Sequence, residues 1–527
     1  MSRIAIDLVP LRPGGENGGA KLVALELLQG FKKHASDDEF LLLTAPWNRD
    51  ELEPLAQENL SCLDYNTPSP PPKRIRTWLQ RAGRRLPRDL KKLIHTLLYR
   101  KSSVDNYFLR GPLKQAGVDL LFCPFTAIDR AEPGIPTVSL LHDLQHRDLP
   151  HLFSESEKEH RDVFLDTVRR NADAIICVSQ HVRERVLQHL KSDPDRTFAV
   201  PNCIHLRLPR IDPDSAAAIR RQLGFGQRPY LFYPANFWPH KNHRMLLLAL
   251  SRYRVENPDD PLELVLTGAL KNARHNHRED TVKLGLEKVV HFPGYLDEAA
   301  LAAVWEGCEA LIFPSLYEGF GIPLLEAMTF GKPILCSRLT SLPEVAGEAA
   351  IYFDPRKPRE IVNAISKLRT TQNIDTLIAR GMERLALFTP DKMVQGYLQI
   401  IHGVLKNPRM RPLQVQGIYS DHWTEPAMRL AAAGPARLFL TIEAPSRQYQ
   451  LQLSLTGSHS ATWKIPSGEL RQLDIPVTPG MNYFELKVSP TFKPGGEGPI
   501  RDDRELGVRC LELELQRENG EVEQWLP

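Results

Sequence analysis

The sequence predicts two α/β domains with doubly wound parallel sheets, followed by an all-β, sandwich-like domain. Short apolar runs alternate with helical patterns over two long stretches, and proline and charge interrupt this alternation between Asn202 and Arg228. Such alternation is typical of parallel sheets that are buried on both faces. Near Asn407 the pattern changes to period-two alternation with frequent turn residues, which favours a β-sandwich. The predicted domain bounds are 1–205, 206–410 and 411–527.

Individual strands follow from the apolar runs. In the first domain we expect strands at 4–9, 118–123, 137–141 and 174–178. In the second domain we expect them at 230–233, 262–266, 289–292, 310–313, 333–336 and 350–353. In the third domain the alternating runs are 437–442, 449–453 and 482–488. Tyr419, Trp423 and Trp463 of that domain are either sugar-stacking residues or aromatic residues of the sandwich core.

Composition and charge indicate an ordinary globular protein. Its 527 residues are 42% hydrophobic, and the formal net charge is only +3, so no nucleic-acid partner is expected. The N-terminus shows no secretory signal, and no apolar run reaches about 18 residues. The seven cysteines are scattered and include no Cys-x-x-Cys pair. These features predict a cytoplasmic protein with reduced thiols.

A basic segment interrupts the first domain. Residues 73–110 carry twelve Lys or Arg against two Asp, and apolar residues recur there at helical spacing. A basic amphipathic helix could lie on the inner face of a membrane or hold an anionic acceptor. The alternative is a packed domain helix with a solvated basic face, so peripheral membrane contact is one of two interpretations.

Three loops in the α/β region carry residues suited to a phosphate or a sugar. Ligands of parallel sheets bind beyond the carboxyl ends of the strands. The glycine-rich loop at 13–19 offers close backbone approach and a helix start, although a plain loop is an equal alternative. Lys241 follows the first strand of the second domain, where a cation could meet a diphosphate or simply face solvent. Asn242 beside it could cap a helix.

The third loop joins a strand that ends at Phe313 to a helix that begins near Pro323. Glu318 lies in this loop and Glu326 lies on the helix. One carboxylate can accept hydrogen bonds from both hydroxyls of a ribose, and glycine N–H groups at a helix start suit a phosphate. The alternative is that Glu326 merely caps or decorates its helix.

The stretch E-G-F-G-I-P-L-L-E, with seven residues between its glutamates, resembles the signature of the retaining family 4 glycosyltransferases of GT-B fold. Neighbouring stretches are similar to that family as well, and the resemblance covers about residues 1–406. They are the Gly18-Gly19 pair, L-L-H-D-L, W-P-H-K-N, H-F-P-G-Y-L, A-L-I-F-P-S, G-K-P-I-L-C-S, S-L-P-E-V-A-G and A-A-I-Y-F-D-P. The resemblance implies two Rossmann-like domains that face a cleft.

The resemblance also implies roles for individual residues. Glu326 would hold the ribose hydroxyls, Glu318 would face the transferred sugar and its phosphate, and Lys241 would neutralise the diphosphate. His142 and Asp143 would border the sugar and the acceptor, unless they only cap a loop. The implied catalytic residues are His142, Lys241 and Glu318. The other implied donor-binding residues are Gly18, Gly19, Asn236, Gly319, Phe320, Gly321 and Ile322.

One position departs from the family pattern. Many relatives have an arginine six residues before the phosphate lysine, but here that position is Ala235. Asn236 and Arg244 are the two candidates for the missing contact. No Asp-x-Asp metal site is evident, because Asp193-Pro194-Asp195 and Asp212-Pro213-Asp214 fit proline turns better. We therefore expect no metal and no cofactor besides the nucleoside-diphosphate sugar donor.

The expected reaction is retaining transfer of a hexose, with mannose as one candidate, to a saccharide or lipid-linked saccharide acceptor during surface polysaccharide synthesis. Two alternatives stay open at this point. One is a non-catalytic carbohydrate-binding scaffold with a degenerate transferase core. The other is a sugar-nucleotide epimerase with the same fold, which would act without an acceptor.

Overall fold

The structure is a computed structural model that describes residues 2–13, 17–65, 112–132, 134–268, 277–370, 373–409, 413–418, 424–445, 450–491 and 506–526. Two parallel sheets and one antiparallel sheet follow one another along this part of the chain. The predicted fold class is confirmed. The basic segment 73–110 lies outside the described residues, as do Tyr419 and Trp423.

The first domain is built on a parallel sheet whose strands are nearly continuous apolar runs, because helices cover both faces. Its strands are β1 (Arg3–Asp7), β2 (Glu39–Thr44), β3 (Leu60–Asp64), β4 (Leu120–Cys123), β5 (Thr137–Leu141), β6 (Ala174–Cys177) and β7 (Thr197–Ala199). Its helices are α1 (Gly19–His34), α2 (Arg49–Leu52), α3 (Pro112–Gln115), α4 (Gln145–Asp148), α5 (Glu155–Asn171) and α6 (Gln180–Leu190). The spatial order is β3-β2-β1-β4-β5-β6-β7, so the order reverses between β1 and β4.

The second domain repeats this arrangement. Its strands are β8 (Tyr230–Pro234), β9 (Glu263–Thr267), β10 (Val290–Gly294), β11 (Ala310–Phe313), β12 (Ile334–Ser337) and β13 (Ala350–Phe353). Its helices are α7 (Pro213–Gln222), α8 (His243–Glu256), α9 (His277–Lys283), α10 (Glu298–Gly307), α11 (Ile322–Thr329), α12 (Leu342–Ala346), α13 (Pro358–Thr370), α14 (Ile374–Leu385) and α15 (Pro390–Lys406). The order β10-β9-β8-β11-β12-β13 reverses between β8 and β11. Ligands of such sheets bind at this reversal.

The last helix of the α/β region, α15, packs against α1 of the first domain. A Cβ on Gly30 would lie 2.1 Å from a methyl carbon of Val394, so the glycine permits close approach of the two helices. Tyr397 of α15 also meets Phe122 of β4 edge to face, with ring centroids 5.9 Å apart. The chain therefore returns to its first domain after completing the second.

The third domain is an antiparallel half-barrel. Its strands are β14 (Leu413–Ile418), β15 (Thr424–Glu443), β16 (Leu451–Gly457), β17 (Ala461–Ile465), β18 (Leu470–Ser489), β19 (Arg509–Arg517) and β20 (Val522–Leu526). The two 20-residue strands β15 and β18 pair along most of their length, with register shifts around Gly434. Inward side chains from β14 to β19 form one hydrophobic core, against which Trp463 is partly buried. The sugar-stacking role considered for Trp463 stays a prediction.

The half-barrel is docked on the first domain. Lys114 Nζ lies 3.4 Å from the centroid of the Tyr483 ring, within the range of a cation–π contact. A Cβ on Gly134 would lie only 2.3 Å from the Tyr483 hydroxyl, so the backbone there approaches the ring closely. Asn171 Nδ2 donates a hydrogen bond to the backbone oxygen of Val415, at 3.5 Å. These contacts join the half-barrel to the first α/β domain.

Candidate active site

The reversal in the second sheet brings two loops together. The loop after β8 ends in the 3₁₀ turn Pro239–Lys241, and the loop after the adjacent β11 carries Glu318. Lys241 Nζ lies 2.7 and 2.9 Å from the two carboxylate oxygens of Glu318. The two side chains are 14% and 11% exposed, respectively. A partly buried cation and anion therefore lie side by side where ligands of such sheets bind.

Buried polar groups fix the position of Lys241. The hydroxyl of Tyr233 donates to the backbone oxygen of Lys241 at 2.8 Å and lies 3.0 Å from Ser315 Oγ. Asn242 adopts a left-handed conformation with φ 62° at the start of α8. Its amide donates to the backbone oxygens of Pro314 and Pro355, at 3.1 and 2.8 Å. The side chain of Asn242 therefore ties two loops together and does not cap the helix.

The loop that carries Glu318 is also held by hydrogen bonds. Glu318 donates its backbone N–H to Thr340 Oγ1 at 3.1 Å. Ser341 Oγ lies within hydrogen-bond distance of the backbone oxygens of Glu318 and Phe320, at 3.0 and 2.9 Å. Gly321 has φ 102°, a conformation that favours glycine, and it immediately precedes α11 at Ile322. The loop thus delivers the start of α11 beside the Lys241–Glu318 pair.

Glu326 lies on α11 and is almost completely buried, at 2% exposed. Its Oε1 accepts a hydrogen bond from Arg207 Nη2 at 2.7 Å. Burial raises the pKa of Glu326, whereas Arg207 opposes this effect. Sequence reasoning missed Arg207, because no motif around it suggested a contact with residue 326.

The first domain contributes His142 and Asp143, which follow β5. His142 Nε2 lies 2.8 Å from the backbone oxygen of Pro124, and burial lowers the pKa of His142. The ring is therefore assigned as neutral, with the proton on Nε2. Asp143 Oδ1 accepts a hydrogen bond from the backbone N–H of Gln145 at 3.2 Å and lies 3.5 Å from Arg161 Nη1. In this conformation Asp143 caps the loop.

The start of α1 faces the second domain. A Cβ on Gly18 would lie 3.8 Å from the ring of Trp238, and one on Gly19 would lie 2.9 Å from Ile322 Cδ1. Gly18 and Gly19 therefore lie opposite Trp238 and the start of α11, and their contact with a donor stays a prediction. Gly14, Gly15 and Glu16 lie outside the described residues.

Direct contacts close the cleft between the two α/β domains. The Glu344 carboxylate of α12 accepts hydrogen bonds from the backbone N–H groups of Gln180 and His181, at 2.8 and 2.9 Å. Ser179 Oγ donates to the backbone oxygen of Gly319 at 2.6 Å. A Cβ on Gly319 would lie 2.0 Å from the backbone oxygen of His142. In the sequence, Glu344 was noted only as part of the stretch S-L-P-E-V-A-G, without a role, and Ser179 was missed.

The strand that precedes Ala235, β8, contains no arginine that could replace the missing one. Ala235 is 9% exposed, and its backbone oxygen lies 2.5 Å from the position that a Cβ on Gly268 would occupy. Asn236 is half-buried before the Lys241 turn, whereas Arg244 is exposed in the first turn of α8. The substitution of the missing cation by Asn236 or Arg244 stays a prediction.

The two Asp-Pro-Asp stretches act as turns and caps, as expected. Asp193 accepts a hydrogen bond from the backbone of Asp195 at 3.0 Å, and Asp212 accepts one from Ser215 at the start of α7, at 2.9 Å. In the described ranges, no group of three or more His, Cys, Asp or Glu side chains has the arrangement of a metal site. All seven cysteines are free thiols.

Among the described residues, no helix has the length and apolar character needed to cross a membrane.

Two family models match the α/β region. The model of the Glycosyltransferase Family 4 matches residues 17–208, and the model of the Glycosyl transferases group 1 matches residues 215–378. Together the two matches cover about two thirds of the chain. They end before the half-barrel.

Two curated relatives and one solved structure illustrate the similarity. The O-antigen chain mannosyltransferase B of Escherichia coli is 26% identical over 260 residues, which cover 48% of this chain and 66% of that protein. The MMP alpha-(1->4)-mannosyltransferase of Mycolicibacterium hassiacum is 30% identical over 205 residues, which cover 38% and 46%. The chain thus spans less than two thirds of the length of these relatives. The crystal structure of Anabaena HepE in complex with UDP and glucose matches with a TM-score of 0.55 at 18% identity, covering 76% of this chain and 100% of that one.

Proposed function

We propose that this chain, which belongs to the family 4 glycosyltransferases of group 1, transfers a hexose from a nucleoside-diphosphate sugar to a saccharide or lipid-linked saccharide in surface polysaccharide synthesis, with retention at the anomeric carbon. The observation that carries the proposal is the Lys241–Glu318 pair, at 2.7 Å, beside the start of α11. A departing diphosphate needs cationic and N–H groups that are already oriented when the negative charge develops.

The proposal gives each part of the site a task on the donor. Lys241 neutralises the diphosphate, and the backbone of Gly319, Phe320, Gly321 and Ile322 meets the sugar or its phosphate at a helix start. Glu318 faces the transferred sugar, and Glu326 accepts the ribose hydroxyls. Gly18, Gly19 and Asn236 line the donor. Lys241 is paired with Glu318, so contacts between Lys241 and the diphosphate would replace part of this ion pair.

The first domain supplies the acceptor side in this proposal. His142 and Asp143 border the transferred sugar and the incoming hydroxyl. A neutral His142 whose Nε2 proton is directed at Pro124 leaves Nδ1 as a hydrogen-bond acceptor. The proposed reaction uses no metal and no other cofactor. Lys241 and the start of α11 stabilise the departing diphosphate, as a metal cation would.

The names of the relatives guide the choice of sugar. Several are mannosyltransferases, including the O-antigen enzyme and the serotype-specific mannosyltransferase WbdA of Escherichia coli. We therefore propose mannose as the first candidate. The structural likeness to HepE supports the fold and carries no argument about the donor, because the two chains are 18% identical.

The proposal is tested with the purified full chain and a panel of sugar nucleotides that includes GDP-mannose and UDP-glucose. The expected result is release of the nucleoside diphosphate that depends on an added saccharide, and a product whose anomeric configuration by NMR equals that of the donor. Activity should survive EDTA. An epimerase would convert the sugar without an acceptor, and a scaffold would bind a nucleotide without turnover. Either result would contradict the proposal.

A further inference from the structure

Arg207 connects the segment between the two α/β domains to the carboxylate at the ribose end of the proposed site. It ends the 3₁₀ turn His205–Arg207, which lies between β7 and α7. Arg207 Nη2 lies 2.7 Å from Glu326 Oε1, and Arg207 Nη1 lies 3.4 Å from Glu298 Oε1. The side chain of Arg207 is 17% exposed, and its guanidinium group lies between α10 and α11.

The surroundings of Glu326 make this contact important. Glu326 is 3% exposed at the side chain, and a buried carboxyl group without a cation tends to keep its proton. The charged groups that face it are Arg207 from the connecting segment and Glu298 from α10. The negative charge of Glu298 repels that of Glu326 and so favours protonated Glu326. Arg207 is the cation that opposes both this repulsion and the effect of burial.

The protonation of Glu326 decides what it can bind. A carboxylate accepts hydrogen bonds at both oxygens and can take both hydroxyls of a ribose diol, whereas a carboxylic acid uses one oxygen as a donor. We propose that Arg207 is a positioning residue for the donor, which holds the buried Glu326 ionised and correctly oriented to receive the ribose. This inference rests on the proposed function and adds a residue outside the family motif to the site.

The chain provides a matched control in Arg210. It lies on the same connecting segment, its Nη1 is 3.4 Å from Glu306 on α10, and its Nη2 donates to the backbone oxygen of Thr329 on α11. Its side chain is 63% exposed. Arg210→Ala therefore removes the same charge and contacts to the same two helices, but leaves Glu326 untouched.

The experiment measures the dissociation constants of UDP and GDP by calorimetry between pH 6 and pH 8.5. It uses the full chain as wild type, R207A, R207K, R210A, E326Q and the R207A/E326Q double variant. We expect R207A to bind the preferred nucleotide about tenfold more weakly, because a charge-assisted contact is lost. The loss of affinity in R207A should become larger as the pH falls. Without Arg207, Glu326 takes up a proton at a higher pH than it does in the wild type. R210A should follow the wild type.

The remaining variants separate positioning from structural damage. In the E326Q background, R207A should add little, because residues that act through one contact are not additive. R207K keeps the positive charge but lacks the planar guanidinium group. It should therefore bind the nucleotide more weakly than the wild type but retain the wild-type pH profile. If R207A does not fold, this pH profile of R207K decides the question.

Three results would overturn the inference. R207A could bind with the wild-type affinity and pH profile. It could bind more tightly, in which case Arg207 competes with the ribose. R207A could also weaken binding equally at every pH and equally in the E326Q background, which would indicate a structural role. A wild-type chain that binds neither nucleotide would overturn the proposed function and this inference together, whereas the first three results leave the proposed function intact.

Discussion

The ammonium group of Lys241 lies within 2.9 Å of both carboxylate oxygens of Glu318. The two residues come from neighbouring loops at the reversal of the second sheet, where β8 and β11 pair. An ion pair of this kind holds both side chains in place before a ligand arrives, and it can exchange one partner for a phosphate. Its geometry makes Lys241 the first residue to test.

Lys241→Ala should sharply reduce transfer. The variant removes the cation proposed to neutralise the departing diphosphate, and loss of one such preorganised contact costs about 10²–10³-fold in kcat. Steady-state kinetics with the active sugar nucleotide provide the measurement. Lys357→Ala is the control, because this lysine is 63% exposed and its ion pairs are with its neighbours Asp354 and Glu360. Wild-type turnover by Lys241→Ala would show that the donor site is misplaced.

Gly319→Ala tests whether the closed arrangement of the domains is needed for activity. A Cβ at this position would lie 2.0 Å from the backbone oxygen of His142, and a backbone atom of the opposite domain cannot rotate away as a side chain could. We expect the domains to be held apart, with a larger radius of gyration in X-ray scattering and at least tenfold lower kcat.

Gly403→Ala is the control for this variant. Gly403 lies in α15, and a Cβ there would meet no atom within 4 Å. Alanine at a helical position should be neutral or slightly stabilising. If Gly319→Ala has the same radius of gyration and kcat as Gly403→Ala, the contact with His142 has no role in the reaction.

Glu344→Ala should weaken the closed arrangement of the two α/β domains. Unlike Gly319→Ala, it removes a contact and adds no atom between the domains. Its carboxylate accepts two backbone hydrogen bonds at the start of α6, from Gln180 and His181, and the helix dipole favours a negative charge there. Loss of such contacts costs about 1–3 kcal/mol, enough to shift a balanced equilibrium towards the open form. Single-molecule energy transfer between labelled domains measures that shift. Glu348→Ala removes an exposed carboxylate nearby and should leave the distribution unchanged.

The α/β architecture could be predicted from the sequence because parallel strands covered on both faces are continuous apolar runs. The half-barrel was harder to predict, since glycine and proline usually interrupt strands and its sequence contains Gly434, Pro435, Pro476 and Pro479. In the structure, β15 and β18 continue through these residues as 20-residue strands, and register shifts near Gly434 absorb the irregularity. The prediction therefore found the class of this domain but not the length of its strands.

The site was predictable where its residues belong to one local motif. Glu318 and Glu326 share a single loop and helix, so their spacing was visible in the sequence. Arg207 is 119 positions from Glu326, and Glu344 is 163 positions from His181. The contact between Glu344 and His181 depends on how the two domains face each other, and the contact between Arg207 and Glu326 depends on where the connecting segment packs. No local pattern of charge or hydrophobicity encodes either relationship.

The buried carboxyl group of Asp7 leads to a prediction about stability and pH. Asp7 ends β1, is 1% exposed, and accepts a hydrogen bond from Arg130 at 2.9 Å. Burial raises the pKa of Asp7 from 3.8 to about 6, although Arg130 opposes this shift. Because the folded protein holds this proton more tightly than the unfolded chain, the contribution to stability is complete below about pH 4. It is lost as the pH rises through about 6, and its size is on the order of 3 kcal/mol.

Asp7→Asn cannot ionise, so it should remove this pH dependence. The variant also leaves Arg130 without its carboxylate partner, which lowers the Tm of Asp7→Asn by an amount that does not itself change with pH. The quantity to measure is the Tm of the wild type minus that of Asp7→Asn, which should become smaller between pH 4 and pH 7. The same difference for Asp474→Asn, which removes an exposed surface pair with Arg437, should stay flat over this range. A flat difference for Asp7→Asn as well would mean that Asp7 is ionised throughout, in which case Arg130 outweighs the effect of burial.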